Sequence, residues 1–317
     1  MATVQSDRPQ TALRCAAGVN VGATMSFSDW FGSLQAEVDA ALAAHFRAIE
    51  ATIGPHSRLP AAVQYSLKIG GKRLRPLLVL ECSRICGGQT EAAMPAAIAL
   101  ELVHTFSLIH DDLPAMDDDD TRRGHPTNHK VFGEGMAVLA GDWLLAHAFR
   151  VLTAECKDEH LAASLARTLA AGTEAMIAGQ AADLDGEEHP ADRKLVEFIH
   201  LHKTAALIET ACRLGALSAR ADDHTIDALA RYGHHLGLAF QITDDLLDAT
   251  GSAERLGKRV RKDATASKQT YPAVYGLQAS RQAAAEQVEA GLRCLEPLGA
   301  RAVRLRELAQ FVLRRDQ

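Results

Sequence analysis

An all-α fold is predicted by three observations. The chain is 47% hydrophobic but only 5% aromatic, with alanine and leucine abundant and 23% charged residues. Strands would draw more heavily on β-branched and aromatic side chains. Apolar residues recur at helical spacing, as in Phe31, Leu34, Val38 and Leu42, and no segment alternates with the period of a strand or repeats at fixed length.

The elements follow in order. A helix is predicted from Ser28 to about Ile53 and a second from Pro60 to Ile69. The paired glycines of GGKRLRP (70–76) free the backbone, and Pro76 suits the first turn of a helix over 76–86. Lys72 and Arg75 then sit just before a helix N-terminus, either as an anion site or as an ordinary basic loop. A helix over 90–113 takes Thr90 as its N-cap. Helices at 134–153, 158–183, 190–219, 223–249, 273–297 and 300–314 complete the chain. Residues 1–24 have no helical period and are expected to be a disordered extension, leaving 25–317 as one domain.

Bulk properties narrow the function. A net charge of −6 argues against general nucleic-acid binding. The six cysteines contain no CxxC pair, which fits a reducing, cytoplasmic compartment. No apolar run approaches ~18 residues, so no membrane span is expected.

The chain is organised around residues 104–124, HTFSLIHDDLPAMDDDDTRRG, where six aspartates fall within ten positions. Such crowding is unfavourable without cations. The cluster ends an apolar helical pattern (Ile98, Leu102, Phe106, Ile109) rather than lying in a polar tail. Mg²⁺ commonly takes one or two carboxylates plus substrate phosphates, and Arg122 and Arg123 are natural phosphate clamps. In a straight helix Asp111 and Asp117 would point about 120° apart. Pro114 forbids that helix, so a break near Leu113 lets them converge. His104 shares a helix face with Asp111, two turns below it. A second platform is GLAFQITDDLLD, in which Leu236, Phe240, Asp244 and Asp248 step by four residues and Gln241 joins the same face. The triplet His202-Lys203-Thr204 carries little signal alone. After the second platform, Gly257-Lys258, Asp263 and Lys268 form a polar loop.

These motifs, in this order over roughly residues 26–317, resemble the short-chain trans-isoprenyl diphosphate synthases, nearest to the bacterial farnesyl-type members. The resemblance implies a single large helical bundle of the isoprenoid synthase type with a central active-site cavity. It implies head-to-tail condensation of isopentenyl diphosphate with dimethylallyl and geranyl diphosphate to farnesyl diphosphate, in a homodimer. Asp111 and Asp117 match ligands of two Mg²⁺ on the allylic diphosphate, and Asp244 the ligand of a third. Asp112, Asp245 and Asp248 match supporting positions. Gly71, Lys72, Arg75, His104 and Arg123 fall where the family holds isopentenyl diphosphate. Arg122, Lys203, Lys258 and Lys268 fall where it grips the allylic diphosphate. Thr204 and Gln241, with Lys203, match positions that line the site of the developing cation in that family. Arg261-Lys262-Asp263 departs from relatives that carry a glycine nearby. A terpene cyclase would show an Asn/Ser/Glu triplet in place of DDLLD, and a regulatory subunit a degraded aspartate motif. Synthases of longer products remain open. Phe106, five residues before Asp111, is either the floor that limits product length or ordinary core.

Overall fold

The computed structural model describes residues 25–54, 56–187, 189–250 and 269–314. The expected N-terminal extension, and Lys258 and Lys268, lie outside the described residues. The chain forms α1 (Phe27–Ile53), α2 (Leu59–Lys68), α3 (Leu74–Ile85) and α4 (Thr90–Asp111). A two-stranded hairpin, β1 (Thr121–Arg122) and β2 (His125–Pro126), precedes α5 (Asn128–Phe132), α6 (Glu134–Glu155) and α7 (Glu159–Gly186). Next come α8 (Arg193–Ile199), a π-helical turn (His200–Ala205), α9 (Ala206–Ser218) and α10 (Asp223–Thr250). The remainder is α11 (Tyr271–Tyr275), α12 (Leu277–Cys294), a 3₁₀ turn (Glu296–Ala302) and α13 (Val303–Arg314).

Helix α4 is the spine. Its alanines, Ala93, Ala96, Ala97 and Ala99, are fully buried, and they let α3, α6 and α9 pack closely around it. On the other side of α9, α10 packs against α12 and the π turn. Side chains of α3, α4, α6, α9 and α10 interlock in one continuous apolar core. That bundle is all-α, as composition and period predict.

Five expectations are corrected. Pairing of Thr121 with Pro126 and of Arg122 with His125 makes a short antiparallel hairpin where no strand was expected. Two residues per strand are too few to show a period of two. The helix expected over 190–219 is interrupted by the π turn, where two neighbouring helices press on its backbone. A Cβ at Gly179 of α7 would strike the Lys203 amide, and one at Gly237 of α10 would lie 2.5 Å from Ala205 Cα. Thr90 is the first helical residue of α4 and Gln89 its N-cap. The preceding turn, closed by the Gly88 N–H donating to Ser83 O at 2.9 Å, leaves Gln89 extended. Arg75 lies in the first turn of α3 rather than before it. Finally, α4 and α6, 22 residues each, are long and apolar enough to cross a membrane by length and composition. Most of the apolar stretch of α4 is buried inside the bundle, which accounts for its composition. The five described cysteines are free.

A buried ion pair ties α3 and α4 together below the aspartates. Arg73, in the left-handed region at φ 50°, is 6% exposed. Its guanidinium donates to Glu101 at 2.5 Å, to Asp39 at 2.8 Å and to the Leu67 carbonyl at 2.7 Å. Burial opposes its charge, but Glu101 and Asp39 outweigh that penalty and hold its pKa up. Removing one partner of a buried pair leaves an uncompensated charge, so Glu101→Ala should destabilise the protein by about 3–5 kcal/mol. Asp39 is about half exposed, and Asp39→Ala should cost less than about 1 kcal/mol. Denaturant titration of both variants checks the contrast.

Candidate functional site

The α4 helix stops where Pro114 requires. The chain then curls back on itself: the Asp117 N–H donates to the Asp111 carbonyl at 2.9 Å, and the Asp118 N–H to the Leu113 carbonyl at 3.1 Å. Asp111 and Asp117 are thereby neighbours at the rim. Burial, aided by Asp117 and Asp112 and opposed by Lys203 and Arg122, pushes the Asp111 carboxyl up to about 7. A carboxylate so reluctant to hold its charge is suited to a cation.

Asp112 turns the other way. It is 3% exposed and holds Arg122, whose Nε and Nη2 lie 2.8 and 2.7 Å from Oδ1. The hairpin turn places Arg123 (φ 54°) and Gly124 (φ 81°) at its two central positions, the type I′ pattern. That turn carries Arg123 back over GGKRLRP. A Cβ at Gly71 would lie 2.7 Å from the Arg123 guanidinium carbon, so only glycine leaves room there. Gln35 fixes the same loop by donating to the Gly71 carbonyl at 2.8 Å.

Under this turn lies a cationic recess. Arg75 Nη1 is 3.3 Å from His104 Nε2. Burial, with Arg75 and Arg123 beside it, drives His104 well below the usual imidazole range, so it is neutral and accepts from Arg75. Burial, aided by Arg123, lowers the pKa of Arg75; burial, aided by Arg122 and Arg73, lowers that of Arg123. Arg75 Nε is buried without a partner. Crowded, desolvated guanidiniums, one of them with an unused donor, form a site that an anion would stabilise. Lys72, also from this loop, is exposed.

On the opposite wall, Lys203 projects from the π turn and its Nζ lies 2.5 Å from Asp183 Oδ2 of α7. Burial opposes its charge, but Asp183, Asp111 and Asp117 raise its pKa, which places the ammonium in the field of the first aspartate cluster. Thr204 donates to Gln241 Oε1 at 2.6 Å. Asp244, on α10, acts electrostatically on Arg75 and favours its charge. Asp245 does not join it at the rim. It is 6% exposed and bonded to Gln241, His200 and the Tyr271 amide. The structure thus pairs Asp117 with Asp111, Arg122 with Asp112, Arg75 with His104, Arg123 with Gly71, Lys203 with Asp183 and Thr204 with Gln241. Lys258 and Lys268 lie outside the described residues. A groove of about 400 Å³ between α7, α9 and α10 is lined by none of them.

Among the described residues, no three acidic, His or Cys side chains converge tightly enough to hold a metal alone. Mg²⁺ rarely uses an all-protein cage and commonly completes its shell with water and phosphate oxygens. Sequence reasoning missed Asp183, Arg73 and His200. Asp183 had no local signal, because its partner Lys203 lies 20 residues along the chain.

The polyprenyl synthetase family model matches residues 56–297. Farnesyl diphosphate synthase of Geobacillus stearothermophilus is 43% identical over 300 residues, covering 93% of this chain and 99% of that protein. Geranylgeranyl pyrophosphate synthase 12 of Arabidopsis thaliana is 51% identical over 231 residues, covering 70% of this chain and 64% of that protein. The solved geranyltransferase of Legionella pneumophila superposes with a TM-score of 0.80 at 31% identity, covering 91% of this chain and 97% of that one. The chain belongs to the polyprenyl synthetase family.

Proposed function

We propose that the chain is a magnesium-dependent prenyltransferase condensing isopentenyl diphosphate with dimethylallyl and then geranyl diphosphate to give farnesyl diphosphate. The observation that carries this reading is a cationic cluster of Arg75 and Arg123 and an acidic cluster of Asp111 and Asp117, to which Asp244 and Lys203 respectively couple electrostatically. The cationic recess of Arg75, Arg123 and neutral His104 suits isopentenyl diphosphate. The rim of Asp111, Asp117, Asp244, Lys203 and Arg122 suits an allylic diphosphate with Mg²⁺, and Lys258 and Lys268 are assigned to the same diphosphate from their motif alone. Mg²⁺ held by Asp111, Asp117 and Asp244 would supply Lewis-acid charge to the leaving diphosphate. Lys203 and Arg122 are held ready for that diphosphate by Asp183 and Asp112.

The reaction then follows from charge. The allylic C–O bond ionises, and the diphosphate leaves with its electron pair. Thr204 and Gln241 present oxygens to the resulting cation. The isopentenyl double bond attacks C1, and the released diphosphate takes the proton that restores a double bond. An apolar wall excludes the water that would quench the cation. The exposed Val131, Val138 and Leu139 along α5 and α6 favour a homodimer through that face, and the free cysteines suit the cytoplasm.

Product length is the second question, since the Arabidopsis relative carries a longer-chain name. Phe106 is 6% exposed, and its ring meets His110 edge-on at 5.5 Å. His110 Nε2 in turn lies 3.1 Å from the Val138 carbonyl of α6. We assign Phe106 to the floor between α4 and α6 that stops the chain at fifteen carbons.

Three measurements test the reading. Incubation with isopentenyl and dimethylallyl diphosphates and Mg²⁺ should yield dephosphorylated products dominated by farnesol, with no turnover in excess EDTA. Asp111→Ala and Asp244→Ala should each lower kcat by at least ~10²-fold, the scale of losing one strong electrostatic stabiliser. Arg75→Ala should raise KM for isopentenyl diphosphate while leaving that of the allylic substrate within about twofold, since it removes a ground-state contact to one substrate. For product length, Phe106→Ala should shift the main product from C15 toward C20 with ionisation largely intact; an active variant that still makes only C15 places the floor elsewhere.

A further inference from the structure

The sequence casts Asp245 as a supporting member of an aspartate motif, but both of its oxygens are spent inside the bundle. Oδ1 accepts from Gln241 Nε2 at 2.9 Å. Oδ2 accepts from the Tyr271 backbone N–H at 2.8 Å and lies 3.0 Å from His200 Nε2. His200 is 2% exposed and its Nδ1 has no partner. A carboxylate only accepts, so Nε2 of His200 carries the proton it donates. The His200 ring also stacks on Tyr271, with centroids 5.5 Å apart.

The consequence reaches the cation site through one amide. Because Gln241 Nε2 donates to a carboxylate, the amide cannot be reversed without setting two acceptors against each other. Its Oε1 therefore accepts from Thr204 Oγ1, at 2.6 Å. The Thr204 hydroxyl is committed as a donor, and the oxygens of both side chains are the atoms left with lone pairs to offer. His200 and Thr204 belong to the same π turn, so the circuit His200–Asp245–Gln241–Thr204 closes on itself across α10. Were the amide reversed, its N–H groups would oppose a developing positive charge rather than stabilise it.

We propose that His200 and Asp245 are positioning residues that set the sign of the dipoles Thr204 and Gln241 direct at the allylic cation. The proposal rests on the prenyl-transfer reading of that site. It assigns Asp245 an orienting role and leaves metal contact in the second motif to other carboxylates.

Steady-state kinetics of the full-length protein with saturating Mg²⁺, each substrate varied in turn, provides the test. His200→Phe keeps the stack on Tyr271 but removes the donor, and His200→Gln restores a donor. His200→Phe should lower kcat by ~10-fold or more while both KM values stay within about twofold, the pattern of an interaction made mainly in the transition state. His200→Gln should recover most of the loss. Asp245→Asn, nearly isosteric, offers an N–H₂ where acceptors are required and should lower kcat at least as much as His200→Phe. If His200→Phe does not fold, the Asp245→Asn and His200→Gln pair decides by the same criterion. Unchanged kcat in Asp245→Asn, or equal losses in His200→Phe and His200→Gln that track melting temperature, overturns the proposal. Thr204→Val separates the two layers. A large kcat loss there with normal His200→Phe kinetics sinks only the positioning role, whereas normal kcat in Thr204→Val sinks the reading of the cation site itself.

Discussion

The inability of α4 to continue through Pro114 is the constraint from which the site grows. Without a donor on Pro114, and with its ring against the preceding turn, the helix ends at Asp111. The chain then folds over its own last carbonyls, with Asp117 bonded to Asp111 and Asp119 to Asp112 through the backbone. One consequence is a pair of carboxylates side by side at the rim. Another is the outward path of the chain into a two-residue hairpin turn, which returns Arg123 to the GGKRLRP loop. A longer α4 would have pointed these aspartates around a cylinder and left the arginines on the outside.

The second organising feature is the way opposite charges are stored. Arg122 rests on Asp112 and Lys203 on Asp183. Both cations are thus held by Asp112 and Asp183 rather than by Asp111 and Asp117. The arginines of the neighbouring recess have no such complete partner set, and burial lowers the pKa of both Arg75 and Arg123. One cluster is thus acidic, around Asp111 and Asp117, and its neighbour cationic, around Arg75 and Arg123. A reaction joining two diphosphates, only one of them ionising, calls for that asymmetry.

The π turn is where the two halves meet. Glycines at 179 and 237 admit α7 and α10 to its backbone so closely that no side chain fits between. In return the turn projects Lys203 toward the aspartate rim and Thr204 toward Gln241. An unbroken helix would repeat every 3.6 residues, whereas the extra residue of a π turn shifts the register locally. The dipole circuit through Asp245 and His200 depends on that shift, because it links residues at both ends of the turn.

Composition and period alone determined the all-α class, and most helix boundaries lie within a few residues of the expected ones, because burial of one apolar stripe is a local demand. Parts of the motifs were equally legible: Asp117 folds back on Asp111 after the proline stop, Arg75 meets His104, and Arg123 returns over Gly71. What the sequence left open depends on partners far along the chain. Nothing near Asp183 marks it as the counter-ion of Lys203, and nothing in TDDLLD distinguishes Asp244, in the field of Arg75, from Asp245, turned toward His200. Those roles were decided only when α7, the π turn and α10 packed together, because a side chain's charge is local but its counter-charge is set by tertiary contact.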